Sequence, residues 1–186
     1  MELNGKNYSK AYFIGVGGIG MSALARWFKA TGHTVSGYDR TATVLTQTLA
    51  DEGIEITYTD SVEAIPNGLQ AQPAQTLVVY TPAIKASHPQ LQWFIEQGDF
   101  TVMKRGQVLG LITADHFAIG VAGTHGKTTT SAILAQLLHH AGSEMAAFLG
   151  GIATNFESNL VMQQHGTEDL RVVVEADEYD RAFLQL

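Results

Sequence analysis

Cysteine is absent from the 186-residue sequence. Its absence excludes disulfide bonds, thiol catalysis and cysteine-ligated zinc, and it is compatible with a reducing compartment. Basic residues are scarce too: 11 Lys and Arg stand against 18 Asp and Glu, which gives a formal net charge of -7. Proteins that bind nucleic acid or an anionic membrane surface rely on clustered basic residues, so we expect neither partner.

Long apolar runs are missing as well. No stretch of the sequence approaches the length that spans a bilayer, and the first residues contain no apolar signal core. We therefore expect no membrane insertion and a cytoplasmic location. With 45% hydrophobic and 16% charged residues, the chain can still bury the core of one large or two small folded domains.

Short apolar segments alternate with helical patterns through the first half of the chain. The helical patterns end at glycines such as Gly32 and Gly53. Alternation of this kind predicts an α/β fold with a Rossmann-like parallel sheet. The predicted strands lie at 11–16, 34–37, 55–58, 76–80 and 100–103.

A second α/β unit follows, and we place the domain boundary between residues 108 and 109. An apolar strand at 117–121 leads into a glycine-rich loop and a helix at 127–141, and further strands are predicted at 145–149 and 170–175. So few strands cannot easily close a nucleotide-binding domain. Residues 109–186 are therefore interpreted as a partial, truncated P-loop α/β domain.

The first chemical motif is a glycine loop at residues 15–20. Gly15, Gly17 and Gly20 fit the pattern G-x-G-x-x-G directly after a predicted strand and at the start of a helix. The glycines permit a tight turn, and the N-terminus of the helix would face a diphosphate. Asp39 follows at the end of the second strand, where a carboxylate can accept hydrogen bonds from ribose hydroxyls. The pattern alone does not distinguish a dinucleotide such as NAD from a nucleotide sugar.

The second motif is a phosphate loop at residues 123–128 (GTHGKT). Backbone N–H groups of such a loop hold phosphate, Lys127 would contact the β and γ phosphates, and the Thr128 hydroxyl can bind magnesium. In the strict P-loop pattern the first glycine would fall at position 121, which is Val121 in this chain. The loop is therefore shortened to Gly123 or lengthened to Gly120.

An acidic segment, 175–178 (EADE), ends the last predicted strand. A carboxylate at this end of a strand in an open α/β sheet lies where ligands bind. Magnesium prefers oxygen ligands, usually one or two carboxylates together with phosphate and water. Thr128 and Glu175 are therefore predicted to complete a magnesium site.

Together, residues 15–22 (GVGGIGMS), 122–130 (AGTHGKTTT) and 175–178 resemble the Mur ligase family. Residues 81–84 (TPAI) and 148–151 (FLGG) support the resemblance, which covers essentially the whole chain. The resemblance implies that the first domain binds the UDP of a nucleotide sugar through its glycine loop, rather than NAD. It also implies that the second domain belongs to an ATP-binding central domain.

The function implied by the resemblance is ATP-dependent amide formation in peptidoglycan precursor synthesis. In this family ATP converts the muramoyl lactate carboxylate into an acyl phosphate, and an amino group then displaces phosphate. His125 in the phosphate loop restricts the resemblance to two activities: joining L-alanine to UDP-N-acetylmuramate, or joining a whole tripeptide to it. The intact run at 17–21 and residues 81–84 favour L-alanine.

The resemblance also implies roles for individual residues. Lys127 and Glu175 are expected to be catalytic, and Thr128 and Glu175 to bind magnesium. The residues expected to bind ATP are Gly123, Thr124, His125, Gly126, Lys127, Thr128 and Thr129. Those expected to contact UDP-N-acetylmuramate are Gly15, Gly17, Gly18, Ile19, Gly20, Asp39, Thr81, Pro82, Ala83, Asn155 and Asn159.

Two other functions remain open at this point. An NAD(P)-linked oxidoreductase domain would explain the glycine loop and Asp39, although it leaves the phosphate loop unexplained. A non-catalytic nucleotide-binding module is the other, because the chain is short. For the ligase, we expect these 186 residues to bind the UDP-sugar but to turn over little or no substrate.

Overall fold

The structure is a computed structural model that describes residues 2–3, 5–164 and 170–176. The chain forms two compact units, Met1–Arg105 and Gly106–Leu186. Helix α5 (Arg105–Ala114) begins at the last residue of the first unit and continues into the second. The boundary expected from the sequence, after residue 108, falls within this helix. In the described part of the chain, no helix combines the length and the apolar character needed to cross a membrane.

The first unit alternates strands and helices, as its sequence pattern predicts. Its elements are β1 (Glu2–Leu3), β2 (Lys6–Asn7), β3 (Lys10–Ile14), α1 (Ile19–Ala30), β4 (Thr34–Tyr38), α2 (Val44–Asp51), β5 (Glu55–Thr57), α3 (Asn67–Gln70), β6 (Thr76–Tyr80), α4 (Pro89–Gln97) and β7 (Thr101–Lys104).

Five of these strands form the predicted parallel sheet, in the order β5-β4-β3-β6-β7. The chain builds the sheet outwards from β3 through β4 to β5, and then returns past β3 to β6 and β7. The direction of building therefore reverses between β3 and β6. Ligands of open α/β sheets bind in the crevice that such a reversal leaves at the carboxyl ends of the strands. The fold class predicted from the sequence is confirmed.

The last four residues of β3 are all buried. Since alternate side chains of a strand point to opposite sides of the sheet, both faces of β3 are covered. On one side the Phe13 ring lies 5.8 Å from that of Phe28 on α1. On the other side the Tyr12 ring lies 5.4 Å from that of Phe94 on α4. Full burial of an aromatic or aliphatic side chain of this size contributes about 1.5–3 kcal/mol. Helices on both faces thus hold β3 and the loop that follows it.

A buried polar contact fixes one wall of the crevice. The Tyr12 hydroxyl donates to Gln90 Oε1 at 3.0 Å, and burial raises the pKa of this tyrosine far above its usual value. The Gln90 amide in turn donates to the carbonyl oxygens of Thr59 and Ser61, at 3.2 and 3.0 Å. These bonds hold the segment that carries Asp60.

The second unit contains β8 (Phe117–Val121), α6 (Lys127–His140), β9 (Met145–Ala153), β10 (Ser158–Gln163) and β11 (Arg171–Glu175). Its sheet has the order β10-β9-β11-β8, in which β9, β11 and β8 run parallel. Helix α6 packs on this sheet through Ala135, which is fully buried.

Two features of the second unit differ from the prediction. Strand β9 continues four residues beyond the predicted end at residue 149, and β10, which was not predicted, pairs with it in antiparallel fashion. Strand β10 buries three consecutive residues, Asn159, Leu160 and Val161, and its register shifts at Ser158. Without an alternating pattern, the segment carries no strand signal of its own.

Candidate nucleotide-binding sites

The glycine loop leaves the end of β3 and is tied to the end of β4. The N–H groups of Gly15 and Val16 both donate to the Tyr38 carbonyl oxygen, at 2.8 and 3.0 Å. Gly15 has a φ of +88°, and a Cβ atom there would lie 2.7 Å from Thr81 Cγ2. Only glycine fits both the left-handed backbone and this close neighbour. The loop is thereby packed against the turn that follows β6.

Asp39 braces the loop from the end of β4. The Gly17 N–H donates to Asp39 Oδ2 at 2.7 Å, and the Thr41 N–H donates to Oδ1 at 3.1 Å. A Cβ atom at Gly17 would lie 2.8 Å from Oδ2. Each carboxylate oxygen accepts one of these bonds and keeps a second lone pair, which is free for a ribose hydroxyl. Asp39 therefore has a structural role in addition to the ligand contact predicted from the sequence.

Gly20 faces a side chain that sequence reasoning did not identify as part of the site. A Cβ atom at Gly20 would lie 2.5 Å from Arg105 Nη1, so the guanidinium of Arg105 packs on the first turn of α1. In many Rossmann folds the third glycine instead allows close packing of helix and strand. The position of Arg105 in the sequence gives no sign of this contact.

Arg105 is half-buried, and the described residues offer it no hydrogen bond or ion pair. The first turn of α1 contains no acidic residue, and its N-cap, Gly18, provides no side-chain cap. A helix N-terminus carries partial positive charge, so a cation beside it is disfavoured unless an anion is also present. The electrostatics at this end of α1 therefore favour a bound anion.

A cavity of about 570 Å³ opens beside the loop. Five of the predicted substrate residues line it: Gly15, Gly18, Asp39, Thr81 and Ala83. Gly17, Ile19, Gly20 and Pro82 do not line the cavity: Gly17 and Pro82 lie in the adjoining loops, and Ile19 and Gly20 lie in the first turn of α1.

Aromatic side chains form another part of the cavity wall. The His88 ring lies 4.8 Å from the Tyr38 ring, at an angle of 55°. Both ring nitrogens of His88 are buried and have no partner among the described residues, and burial lowers the pKa of this histidine. The imidazole is therefore neutral at physiological pH and packs as an aromatic ring.

The phosphate loop connects β8 to α6. Gly126, with a φ of +78°, is the N-cap of α6, and Lys127 begins the helix. The N–H groups of Thr124, His125 and Gly126 donate no hydrogen bond within the described residues. These unpaired donors and the start of a helix form a site suited to phosphate. Lys127 Nζ lies over the loop and donates to the Gly123 carbonyl oxygen at 2.8 Å.

Glu175 connects three elements of the second unit. The Thr128 hydroxyl on α6 donates to Glu175 Oε2 at 3.1 Å, and the Gly150 N–H on β9 donates to Glu175 Oε1 at 2.7 Å. The predicted metal ligands Thr128 and Glu175 are thus brought together. Asp177 and Glu178 of the same acidic segment lie outside the described residues.

A second cavity, of about 470 Å³, begins at Thr128 and Thr129 and runs along α6 towards the turn between β9 and β10. Its wall combines apolar side chains such as Ile133 and Ile152 with the polar side chain of Asn155. The Asn155 amide donates to Gln136 Oε1 at 2.7 Å.

The two asparagines predicted to contact the substrate differ in exposure. Asn155 is exposed on the wall of the second cavity, whereas Asn159 is completely buried in β10. The structure therefore makes Asn155, but not Asn159, accessible to a ligand in the described conformation.

Each glycine loop follows a strand of a parallel sheet and precedes a helix, an arrangement that is typical of α/β proteins with nucleotide-binding loops. The sequence profile of the Mur ligase family, catalytic domain, matches residues 10–117, which is more than half of the chain. The chain belongs to the Mur ligase family. The resemblance noted from its motifs is confirmed.

Curated relatives share about half of their residues with the chain. A UDP-N-acetylmuramate–L-alanine ligase from Christiangramia forsetii is 54% identical over 94% of the chain, and one from Flavobacterium johnsoniae is 50% identical over the whole of the chain. The chain spans 38% and 39% of the length of these two relatives.

Solved structures of the same family share the fold. A UDP-N-acetylmuramate–alanine ligase from Thermotoga maritima is 31% identical, with a TM-score of 0.75 over 91% of the chain and 37% of that protein. The UDP-N-acetylmuramate:L-alanyl-γ-D-glutamyl-meso-diaminopimelate ligase from Neisseria is 29% identical, with a TM-score of 0.79 over 94% of the chain and 54% of that protein.

Proposed function

We propose that the chain is part of an ATP-dependent ligase that joins L-alanine to UDP-N-acetylmuramate in peptidoglycan precursor synthesis. The observation that carries the proposal is the presence of two different phosphate sites in one chain. The glycine loop of the first unit opens onto a cavity, and the phosphate loop of the second unit lies beside a pair of oxygen ligands. An enzyme that joins a nucleotide sugar to an amine with ATP needs both sites.

The first unit is proposed to hold the UDP of the nucleotide sugar. The diphosphate would lie at the N-terminus of α1, where backbone dipoles and Arg105, which has no partner among the described residues, favour negative charge. Asp39 would accept hydrogen bonds from the ribose through its remaining lone pairs. The rings of Tyr38 and His88 would provide an apolar wall for the base.

The second unit is proposed to hold ATP and magnesium. The donors fit the metal, because Mg²⁺ takes oxygen ligands at 2.0–2.1 Å in octahedral geometry, which places neighbouring ligands about 2.9 Å apart. Thr128 Oγ1 and Glu175 Oε2 are 3.1 Å apart. Bound Mg–ATP would supply the phosphoryl group that activates a carboxylate. Lys127 would leave the Gly123 carbonyl to neutralise charge on the γ phosphate.

The second cavity is proposed to hold the carboxylate that receives the phosphoryl group. This cavity begins at Thr128 and Thr129, next to the phosphate loop, so a carboxylate held there would lie close to the transferred phosphoryl group. Asn155 has polar atoms on the cavity wall and would orient the substrate. Such chemistry needs positioning and charge neutralisation rather than a side-chain nucleophile.

L-Alanine is preferred to a tripeptide as the second substrate. The curated L-alanine ligases are 54% and 50% identical to the chain; among the solved structures, the L-alanine ligase from Thermotoga maritima is 31% identical and the tripeptide ligase from Neisseria 29%. The two reactions share UDP-N-acetylmuramate and differ in the amine, so enzymes for both are expected to have similar folds. Identity to the curated relatives is therefore a better guide to the amine than similarity of fold.

Calorimetric titration of the 186-residue chain with UDP-N-acetylmuramate and with NADH tests the nucleotide assignment. We expect the nucleotide sugar to bind more tightly, and tighter binding of NADH would favour an oxidoreductase domain instead. Phosphate release by the product of the complete reading frame, with alanine or with the tripeptide, tests the second substrate. Faster release with the tripeptide would overturn the preference for alanine.

A further inference from the structure

The backbone conformation of Gly150 on β9 does not by itself require glycine. Its φ lies outside the left-handed region that favours glycine. The backbone pairing of β9 with β11 ends at Phe148 and Val174, so Gly150 lies two residues beyond the last pair. The Gly150 N–H instead donates to the side chain of Glu175, at 2.7 Å from Oε1.

The Glu175 carboxylate lies directly against the Cα atom of Gly150. A Cβ atom at position 150 would be 2.5 Å from Oε2, 2.9 Å from Cδ and 3.0 Å from Oε1. The first two distances are too short for non-bonded atoms and the third is tight, so any larger residue would push the carboxylate away. Glycine at this position is therefore what allows the carboxylate to keep its place beside the backbone.

The neighbouring glycine provides a contrast. At Gly151 the nearest atom to an added Cβ would be Thr128 Cγ2, at 3.5 Å, which is an ordinary van der Waals distance. Gly151, like Gly150, belongs to β9 and has no left-handed φ. Alanine at position 151 thus makes the same chemical change in the same strand without disturbing Glu175.

We propose that Gly150 is a positioning residue for the metal site. By binding Oε1 through its N–H, it turns Oε2 towards the Thr128 hydroxyl, and these two oxygens are the ligands proposed for the divalent cation. The inference rests on the proposed function of the phosphate loop. Groups that orient a metal ligand are commonly worth 10–100-fold in metal affinity, so a loss in that range is expected when Gly150 is replaced.

The first test is ATP binding by the 186-residue chain, measured by calorimetry in excess magnesium and again in EDTA. Gly150→Ala should lose about 10–100-fold of the affinity gained with magnesium and keep the affinity measured in EDTA. Gly151→Ala should resemble the wild type in both conditions. Retention of the full magnesium-dependent gain by Gly150→Ala, or an equal loss in EDTA, would overturn the positioning role.

The second test separates the positioning role from the proposed function. Urea denaturation, followed by far-UV circular dichroism, is compared for Gly150→Ala in the wild-type chain and in a Glu175→Ala background. The substitution should lower the midpoint in the wild type and leave it unchanged when the carboxylate is absent. Equal effects in both backgrounds would refute the contact. A wild-type chain that binds no Mg–ATP would instead overturn the ATP site, while the denaturation cycle still decides whether Gly150 acts through Glu175.

Discussion

Replacement of Asp39 should loosen the glycine loop in proportion to the hydrogen bonds lost. In Asp39→Asn the amide oxygen can still accept from the Gly17 N–H, but the charge that strengthens this bond is gone. Hydrogen bonds to charged groups contribute about 1.5–3 kcal/mol and neutral ones about 0.5–1.5 kcal/mol, so we expect a loss of about 1 kcal/mol. The contact to the Thr41 N–H is exposed, and water can replace it.

Asp39→Ala removes both acceptors and leaves the partly buried Gly17 N–H without a partner. An unsatisfied donor of this kind costs about 1–3 kcal/mol, so the expected loss is about 2 kcal/mol. For a unit of this size, each kcal/mol corresponds to a shift of roughly 4–8 °C in the melting temperature. The two substitutions should therefore form a graded series, with alanine about twice as destabilising as asparagine.

Tryptophan fluorescence in urea is a suitable assay, because both tryptophans, Trp27 and Trp93, lie in the first unit. Asp60→Asn and Asp60→Ala are matched controls: Asp60 lines the same cavity but accepts no hydrogen bond among the described residues. Surface substitutions without such contacts usually stay within about 0.5 kcal/mol. If the Asp39 variants unfold at the same urea concentration as their Asp60 counterparts, the carboxylate does not brace the loop.

Three further results are expected. Gly20→Ala should displace the flexible Arg105 side chain and weaken UDP-N-acetylmuramate binding in calorimetry, with little loss of stability. Adding Arg105→Ala to this variant should weaken binding no further. Additive losses of affinity would show that Gly20→Ala does not act through Arg105. Gly126→Ala should lower the far-UV circular dichroism midpoint by the equivalent of about 1–2 kcal/mol, the cost of a left-handed backbone for a residue with Cβ, and an unchanged midpoint would contradict it. Burial lowers the pKa of His33, so as the pH falls below about 6.5 the unfolded chain takes up a proton before the folded chain does, and stability is lost towards the lower folded pKa. The urea concentration at the unfolding midpoint should therefore be lower at about pH 5.5 than at about pH 7.5. His33→Gln should reduce this difference.

The architecture of the first unit could be predicted because its signals are local. Residues 11–16 are apolar, the glycines follow at once, and Met21, Leu24 and Phe28 recur with helical spacing, so strand, loop and helix are each specified by adjacent residues. All three of these α1 side chains are buried. The position of Asp39 at the end of β4 followed from the same local pattern.

Contacts between distant segments could not be predicted in the same way. The packing of Arg105 on Gly20 depends on how the end of β7 lies beside the first turn of α1, and no local pattern encodes this. The contact between Gly150 and Glu175 likewise depends on the register of β9 against β11. Side-chain contacts across a sheet are fixed by tertiary packing, so they emerge only once the strands are placed.

The segment between β9 and β10 shows a second limit. Asn155 and Asn159 are four residues apart and were expected to have the same role, yet one is exposed on a cavity wall and the other is buried in a strand. Their difference comes from the turn and from the shift in register at Ser158, which set the direction of each side chain. Residue type alone does not specify either feature.

The three glycines of the first loop face different neighbours: Thr81 at Gly15, Thr46 and Asp39 at Gly17, and Arg105 at Gly20. The motif is therefore a set of separate contacts with residues far away in the sequence, rather than one property of a flexible loop. In the course of evolution, a larger residue at position 17 or 20 should become tolerable only together with a smaller or displaced partner, whereas Gly15 is also required by its left-handed backbone. Sequences that carry alanine in place of the third glycine are thus expected to keep the loop but to hold the arginine side chain in a different position.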